Sequence, residues 1–313
     1  MDILIQDLSV SYPSKQGLVR VLRHANLYLP AGKITALVGE SGSGKSILGA
    51  AVMGLLGKDA IITGNISLNK KSLLSQSEKE WQQIRGTHIG WIAQDPISAM
   101  DPMQKVGKQV TEGIRFRNHH SAWQEKGHAL QQMIRFGLPH PEDVYEKYPG
   151  ELSGGMAQRV LSAMADMPHP EWIVADEPTK GLDAFVRREL CQLFRMLRDE
   201  GTGFLFITHD IRLAERLSDT IGIIYAGEIL EYGKTEDVFS HPCHPYTKNF
   251  LAAQPRNLMK PIPGLPPNLS QLPSGCIFKN RCRWYQQGIC DKKISMRQLS
   301  SCHQVRCWRE DTL

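Results

Sequence analysis

The stretch that most narrows the folds open to this chain is Gly39-Glu40-Ser41-Gly42-Ser43-Gly44-Lys45-Ser46. It follows the apolar run Ile34-Thr35-Ala36-Leu37-Val38 and precedes a segment of helical character, which is the strand-loop-helix context that a phosphate-binding loop requires. Gly39, Gly42 and Gly44 let backbone amides curl around phosphate oxygens, with Ser41 and Ser43 set between them. Lys45 is placed to neutralise the β and γ oxygens, and the Ser46 hydroxyl to reach Mg²⁺. A glycine-rich turn with an incidental lysine is the alternative, and the flanking pattern argues against it.

Residues 1–240 alternate apolar strands with amphipathic helices, the pattern of an α/β fold with a mainly parallel sheet covered on both faces. Trp172-Ile173-Val174-Ala175 and Phe204-Leu205-Phe206-Ile207-Thr208 join the run at residue 34 as short, apolar central strands. Each ends at a polar motif, and ligands of open α/β sheets lie beyond the carboxyl ends of the strands. Between about residues 96 and 165 helical spacing takes over, as in residues 123–136, and predicts an inserted helical lobe. Eight of the 18 prolines then fall between Pro242 and Pro273, so residues 241–313 read as a stiffened connection and a cysteine-rich extension.

Composition excludes several classes. With 41% hydrophobic and 22% charged residues the chain is globular, and its net charge of +5 is too modest to imply nucleic acid. The weakly polar stretch 47–57 is too short for a bilayer, and Met1-Asp2-Ile3-Leu4 lacks the basic head of an export signal, so neither secretion nor membrane spanning is expected. Five of the seven cysteines lie between Cys276 and Cys307, a clustering that favours metal ligation over a disulfide framework in such a chain.

About a hundred residues after the phosphate loop comes Leu152-Ser153-Gly154-Gly155-Met156-Ala157-Gln158-Arg159, and 23 positions beyond its serine an apolar run ends in Asp176-Glu177. With these the chain resembles the ATP-binding subunit of an ABC transporter, a P-loop NTPase cassette with an antiparallel β portion and a helical subdomain. In that family the signature segment, here Ser153, Gly154, Gly155 and Gln158, serves the γ-phosphate of ATP held by an opposite subunit, so the resemblance implies a paired ATPase. It also implies that Asp176 orients Mg²⁺ and Glu177 is the base for the attacking water. Pro178-Thr179-Lys180-Gly181-Leu182-Asp183 is similar to the D-loop that reads the opposite site, His209 to the switch histidine, and Gln94 to the Q-loop glutamine that meets Mg²⁺ and the lytic water. Tyr12 is the residue expected to stack on adenine, the alternative being an ordinary strand tyrosine.

Gln94-Asp95-Pro96, His244-Pro245-Tyr246-Thr247, Ile262-Pro263-Gly264 and His303-Gln304-Val305-Arg306-Cys307 further resemble the oligopeptide, dipeptide and nickel importer subfamily. Members of that subfamily can carry a [4Fe–4S] cluster, and Cys276, Cys282, Cys290 and Cys307 are the matching thiols. Zinc at the same four sulfurs, or free thiols, remain open, and Cys302 competes with Cys307 for the last place. The partners implied are a second ATPase subunit, two transmembrane permease subunits and an extracytoplasmic solute-binding protein, at the cytoplasmic face of the membrane. A soluble ABC ATPase acting on ribosomes or nucleic acid is the competing reading, and a redox-sensing binding module a third.

Overall fold

The computed structural model describes residues 1–15, 17–115, 121–253, 261–300 and 302–309. In chain order the first elements are β1 (Ile3–Ser14), β2 (Gly17–Leu29), β3 (Ile34–Val38), α1 (Lys45–Val52), β4 (Ile61–Leu68), β5 (Lys71–Ser72), α2 (Glu78–Ile84) and β6 (Ile89–Ile92). There follow α3 (Val106–Arg115), α4 (Ala122–Arg135), α5 (Pro141–Glu146), α6 (Gly154–Asp166), β7 (Trp172–Asp176), α7 (Ala184–Asp199) and β8 (Gly203–Thr208). The last are α8 (Ile211–Leu217), β9 (Thr220–Tyr225), β10 (Glu228–Lys234), α9 (Thr235–Ser240), α10 (Pro245–Ala252), β11 (Arg297–Ser300) and β12 (His303–Val305). They form two compact units, residues 1–75 with 206–313 and residues 76–205, and the second boundary falls within β8.

The first unit holds two sheets. One is antiparallel, in the order β2-β1-β4-β5, with Ile3 and Ile5, then Leu8 and Val10, of β1 buried at period two on either side of a register shift between Ile5 and Leu8. The other runs β11-β12-β10-β9-β3 and continues into β8. β3 pairs parallel with β9, whereas β9, β10, β12 and β11 pair antiparallel in succession. All five residues of β3 are buried, as the unbroken apolar run requires. The core behind it joins Ala36, Val38, Ile221 and Ile223 to Tyr246, Ile277 and Phe278, so residues on both sides of position 240 share one apolar cluster.

In the second unit β6 and β7 run parallel, Ile89 opposite Trp172, and β7 is buried throughout. The helices α3, α4, α5 and α6 enclose a core that includes Met100, Val106, Val110, Met133, Ala157 and Val160. α4 covers most of the stretch expected to be helical, and it begins at a reciprocal cap in which Ser121 and Gln124 each accept the other's backbone N–H. α7 buries Leu190, Leu193, Phe194 and Leu197, one stripe at helical spacing. The architecture is α/β with an antiparallel β portion and a helical lobe. No helix of the described residues is long and apolar enough to cross a membrane.

Candidate functional site

In the first unit the chain leaves β3 through a loop whose shape is dictated by its glycines. A Cβ on Gly39 would meet the Ile224 carbonyl oxygen at 2.1 Å, and Gly44 sits at φ 100°, where an L side chain is strained. The loop closes on its own lysine: Lys45 Nζ donates to the carbonyls of Gly39 and Glu40, both at 2.9 Å. Lys45 also opens α1, with Ser46 next in its first turn. Tyr12 lies half-buried in β1 opposite Val19. His209 is exposed at the end of β8, and the following Asp210 accepts the amides of Arg212 and Leu213 to start α8.

Residues that sequence reasoning missed grip this loop from the far end of the chain. The Arg281 guanidinium donates to both carboxylate oxygens of Glu40 at 3.2 Å and to the Tyr225 hydroxyl at 3.1 Å. From the other side the Glu40 amide donates to the Tyr246 hydroxyl at 3.2 Å. Burial raises the Tyr225 phenol above its usual value and the Tyr246 phenol far above it. In the sequence Tyr246 is marked only as part of His244-Pro245-Tyr246-Thr247, and Arg281 is one of three basic residues around Cys282 with nothing local to single it out.

In the second unit Asp176 is buried at the end of β7, and Glu177 follows in the left-handed region at φ 49°. A glutamate held there is strained by about 1–3 kcal/mol, a cost that concentrates at functional sites. Gln94 is exposed just beyond β6. Ser153 caps α6, its hydroxyl accepting the Met156 amide at 3.3 Å, and a Cβ on Gly154 would meet nothing within 4 Å, so this helix N-terminus is open. Gly155 lies against Val186, and Gln158 is only 2% exposed, turned inward with Ala157 and Leu161. Asp183 caps α7, accepting the amides of Phe185 and Val186, both at 2.9 Å.

Within the first unit Cys276, Cys282, Cys290 and Cys307 line one small pocket together with His244, Trp284 and Trp308. Gly275 shapes its wall: at φ 75° its Cβ position is 2.1 Å from the Cys290 carbonyl oxygen, which accepts the Cys276 amide. Two N–H groups already point at sulfur, Trp308 Nε1 at 3.1 Å and the Gln286 amide at 3.5 Å from Cys290 Sγ. Burial, and after it the neighbouring sulfurs, pushes the Cys276 thiol up to about 12. Cys302 is exposed and lines a different cavity. Cys243 is buried against Val305 and Cys307.

Behind the pocket Glu231 is completely buried on β10 and accepts the amides of Cys243 and His244 at 2.7 and 2.8 Å and His303 Nε2 at 2.8 Å. Burial drives the His244 imidazole down to about 3, so it is neutral.

The comparisons identify the family of the chain. The family described as ABC transporter matches residues 22–180, and the oligopeptide/dipeptide transporter C-terminal region matches residues 230–290. The chain is 40% identical over 286 residues to the probable D,D-dipeptide transport ATP-binding protein DdpD of Escherichia coli (strain K12), covering 89% of this chain and 87% of that one. The oligopeptide transport ATP-binding protein OppD of Bacillus subtilis (strain 168) is 36% identical over 313 residues, covering 97% and 87%. Among solved structures a dimeric bacterial ABC transporter cassette superposes with a TM-score of 0.69 at 25% identity, covering 74% of this chain and 98% of the cassette.

Proposed function

The chain belongs to the ABC transporter family, and from that premise we propose that it is the ATP-hydrolysing subunit of an importer of short peptides, with nickel or another metal chelate as the second class of cargo. Peptide is preferred because the oligopeptide/dipeptide transporter match reaches into the extension, to residue 290, and the relatives are named for peptide transport. The chain would work at the cytoplasmic face of the membrane with a second ATPase subunit, two permease subunits and an extracytoplasmic solute-binding protein. The same names favour this over an ATPase acting on ribosomes or nucleic acid.

The single observation that carries the mechanism is the open N-terminus of α6, where Ser153 and Gly154 present a cap and bare amides to solvent. Such a terminus suits a γ-phosphate delivered by another subunit. In the proposed cycle the amides of Gly39 to Gly44 and Lys45 hold the phosphates of ATP, Tyr12 stacks on adenine, and Gly155 allows the close approach of the signature helix. Ser46, Gln94 and Asp176 are oxygen donors of the kind Mg²⁺ takes, and the ion would neutralise charge on the β and γ oxygens. Glu177 takes the proton of the attacking water, which His209 and Gln94 orient, and Asp183 relays the state of the paired site. Gln158 contributes by fixing the buried face of α6.

The four thiols lining one pocket, with N–H donors aimed at sulfur, fit a [4Fe–4S] cluster held by Cys276, Cys282, Cys290 and Cys307. Such a group supplies a one-electron couple and cross-links the extension. Two experiments test the reading. Co-expression with the permease pair should give a complex whose ATPase responds to a peptide-loaded binding protein; retention on ribosomes without the permeases refutes it. Anaerobically purified protein should be brown with about four iron and four sulfide per chain, and Cys290→Ser should lose much of that iron; stoichiometric zinc refutes the cluster.

A further inference from the structure

His244 is fixed in place from three directions. Its amide donates to Glu231 Oε2 at 2.8 Å, its ring packs edge-on to Phe278 at 6.0 Å between centroids, and its Nδ1 accepts the Tyr246 amide at 3.0 Å as the cap of α10. The last bond decides the tautomer. A nitrogen that accepts an N–H carries no proton, so the hydrogen of the neutral imidazole sits on Nε2. Nε2 is therefore a donor, and its lone pair is not available to a metal.

That donor has no acceptor. The residue is 1% exposed, it lines the pocket of the four cysteines, and Nε2 finds no hydrogen-bond partner among the described residues. A buried N–H left unmatched costs about 1–3 kcal/mol, and native proteins rarely keep one without a use for it. The pocket already directs the indole N–H of Trp308 at Cys290 Sγ, so sulfur is the acceptor its chemistry provides.

We propose that His244 Nε2–H donates a hydrogen bond to a sulfur of the iron–sulfur group held by Cys276, Cys282, Cys290 and Cys307, setting its reduction potential without ligating iron. This rests on the cluster reading above. Donors to cluster sulfur favour the reduced, more negative form, so removing one lowers the potential. His244 is a positioning residue, acting through the sulfur it touches.

The test is a potentiometric titration of the full-length, anaerobically purified protein, followed by electron paramagnetic resonance, with iron, sulfide and zinc measured on the same samples. His244→Asn keeps a side-chain acceptor for the α10 cap but withdraws the pocket donor. It should retain parental iron and sulfide while its reduction becomes about tenfold less favourable, a shift of ~59 mV to more negative potential. An unchanged potential with the cluster retained overturns the proposal. Loss of iron in a variant that still melts like the parent also overturns it, because the ring would then be a ligand. Zinc, or no metal, in the parent protein removes the cluster reading itself, and the metal analysis separates that failure from the other two.

Discussion

Arg281 is the residue whose loss should be felt furthest from where it lies in sequence. Its side chain is 6% exposed and that of Glu40 24%. Besides Glu40 and Tyr225 it donates to the Pro263 carbonyl at 2.9 Å and the Ile262 carbonyl at 3.2 Å, and the guanidinium lies over the Tyr225 ring at 5.6 Å. Arg281→Met keeps the apolar stem and deletes every donor. Breaking a buried ion pair from one side costs about 3–5 kcal/mol, but Glu40 can recover some water, so about 2–3 kcal/mol is expected. At roughly 2–4 °C per kcal/mol for a domain of this size, the nucleotide unit should melt about 5–10 °C lower. Glu40 belongs to the phosphate loop, so part of the loss should also appear as ATP affinity. If about 1 kcal/mol of loop order is forfeited, the Kd for ATP rises about fivefold. Differential scanning calorimetry and titration calorimetry with ATP read the two effects separately. Arg283→Met, which unstacks from Trp284 at 3.8 Å, is the matched control and should leave ATP affinity at the parental value. Parental melting and affinity in Arg281→Met would refute the clamp, and a stability loss without an affinity change would refute its link to the loop.

The remaining expectations concern the cassette. Glu177→Gln removes the base and keeps the shape, so ATP should bind and the closed pair accumulate in size-exclusion chromatography while hydrolysis falls by about 10²–10⁴-fold; parental turnover in the assembled transporter would contradict the assignment. Lys45→Ala removes the cation that closes the loop and should weaken ATP binding itself, which equilibrium binding of a fluorescent ATP analogue detects. Ser153→Arg loses the α6 cap, costing about 1 kcal/mol, and fills the open terminus, so pairing should fail while monomeric ATP binding persists. Concentration-independent ATPase in the isolated wild-type monomer would defeat the paired mechanism.

What could be read from sequence was local. The phosphate loop is a strand, a glycine-rich turn and a helix within nineteen residues, Ile34 to Val52, and β3, β7 and β8 are short apolar runs of the kind buried on both faces. The long contacts were illegible because no periodicity records them: Arg281 meets Glu40 across 241 positions and Tyr246 meets it across 206. His244 carried a faint signal, since a hydrogen-bonding residue before proline marks a helix start, but its second nitrogen acquires meaning only where the chain folds the cysteines beside it. Gln158 and Asp183 came from resemblance alone, and the fold gives each a local task that a motif match does not record: Gln158 is buried on the inner face of α6 and Asp183 accepts the amides that begin α7.

These contacts make the extension a working part of the nucleotide unit. β12 continues the sheet by pairing with β10, Glu231 opposite Val305, and the same Glu231 pins the turn at Cys243 and His244. From that turn α10 brings Tyr246 to the Glu40 amide, and the turn at Phe278 brings Arg281 to the Glu40 carboxylate, one residue before Cys282. Tyr246 and Phe278 belong to the core that also holds Ala36 and Val38 of β3. A close-packed core transmits displacement and does not absorb it. The cysteine pocket and the phosphate loop are therefore joined through two side chains and a shared core.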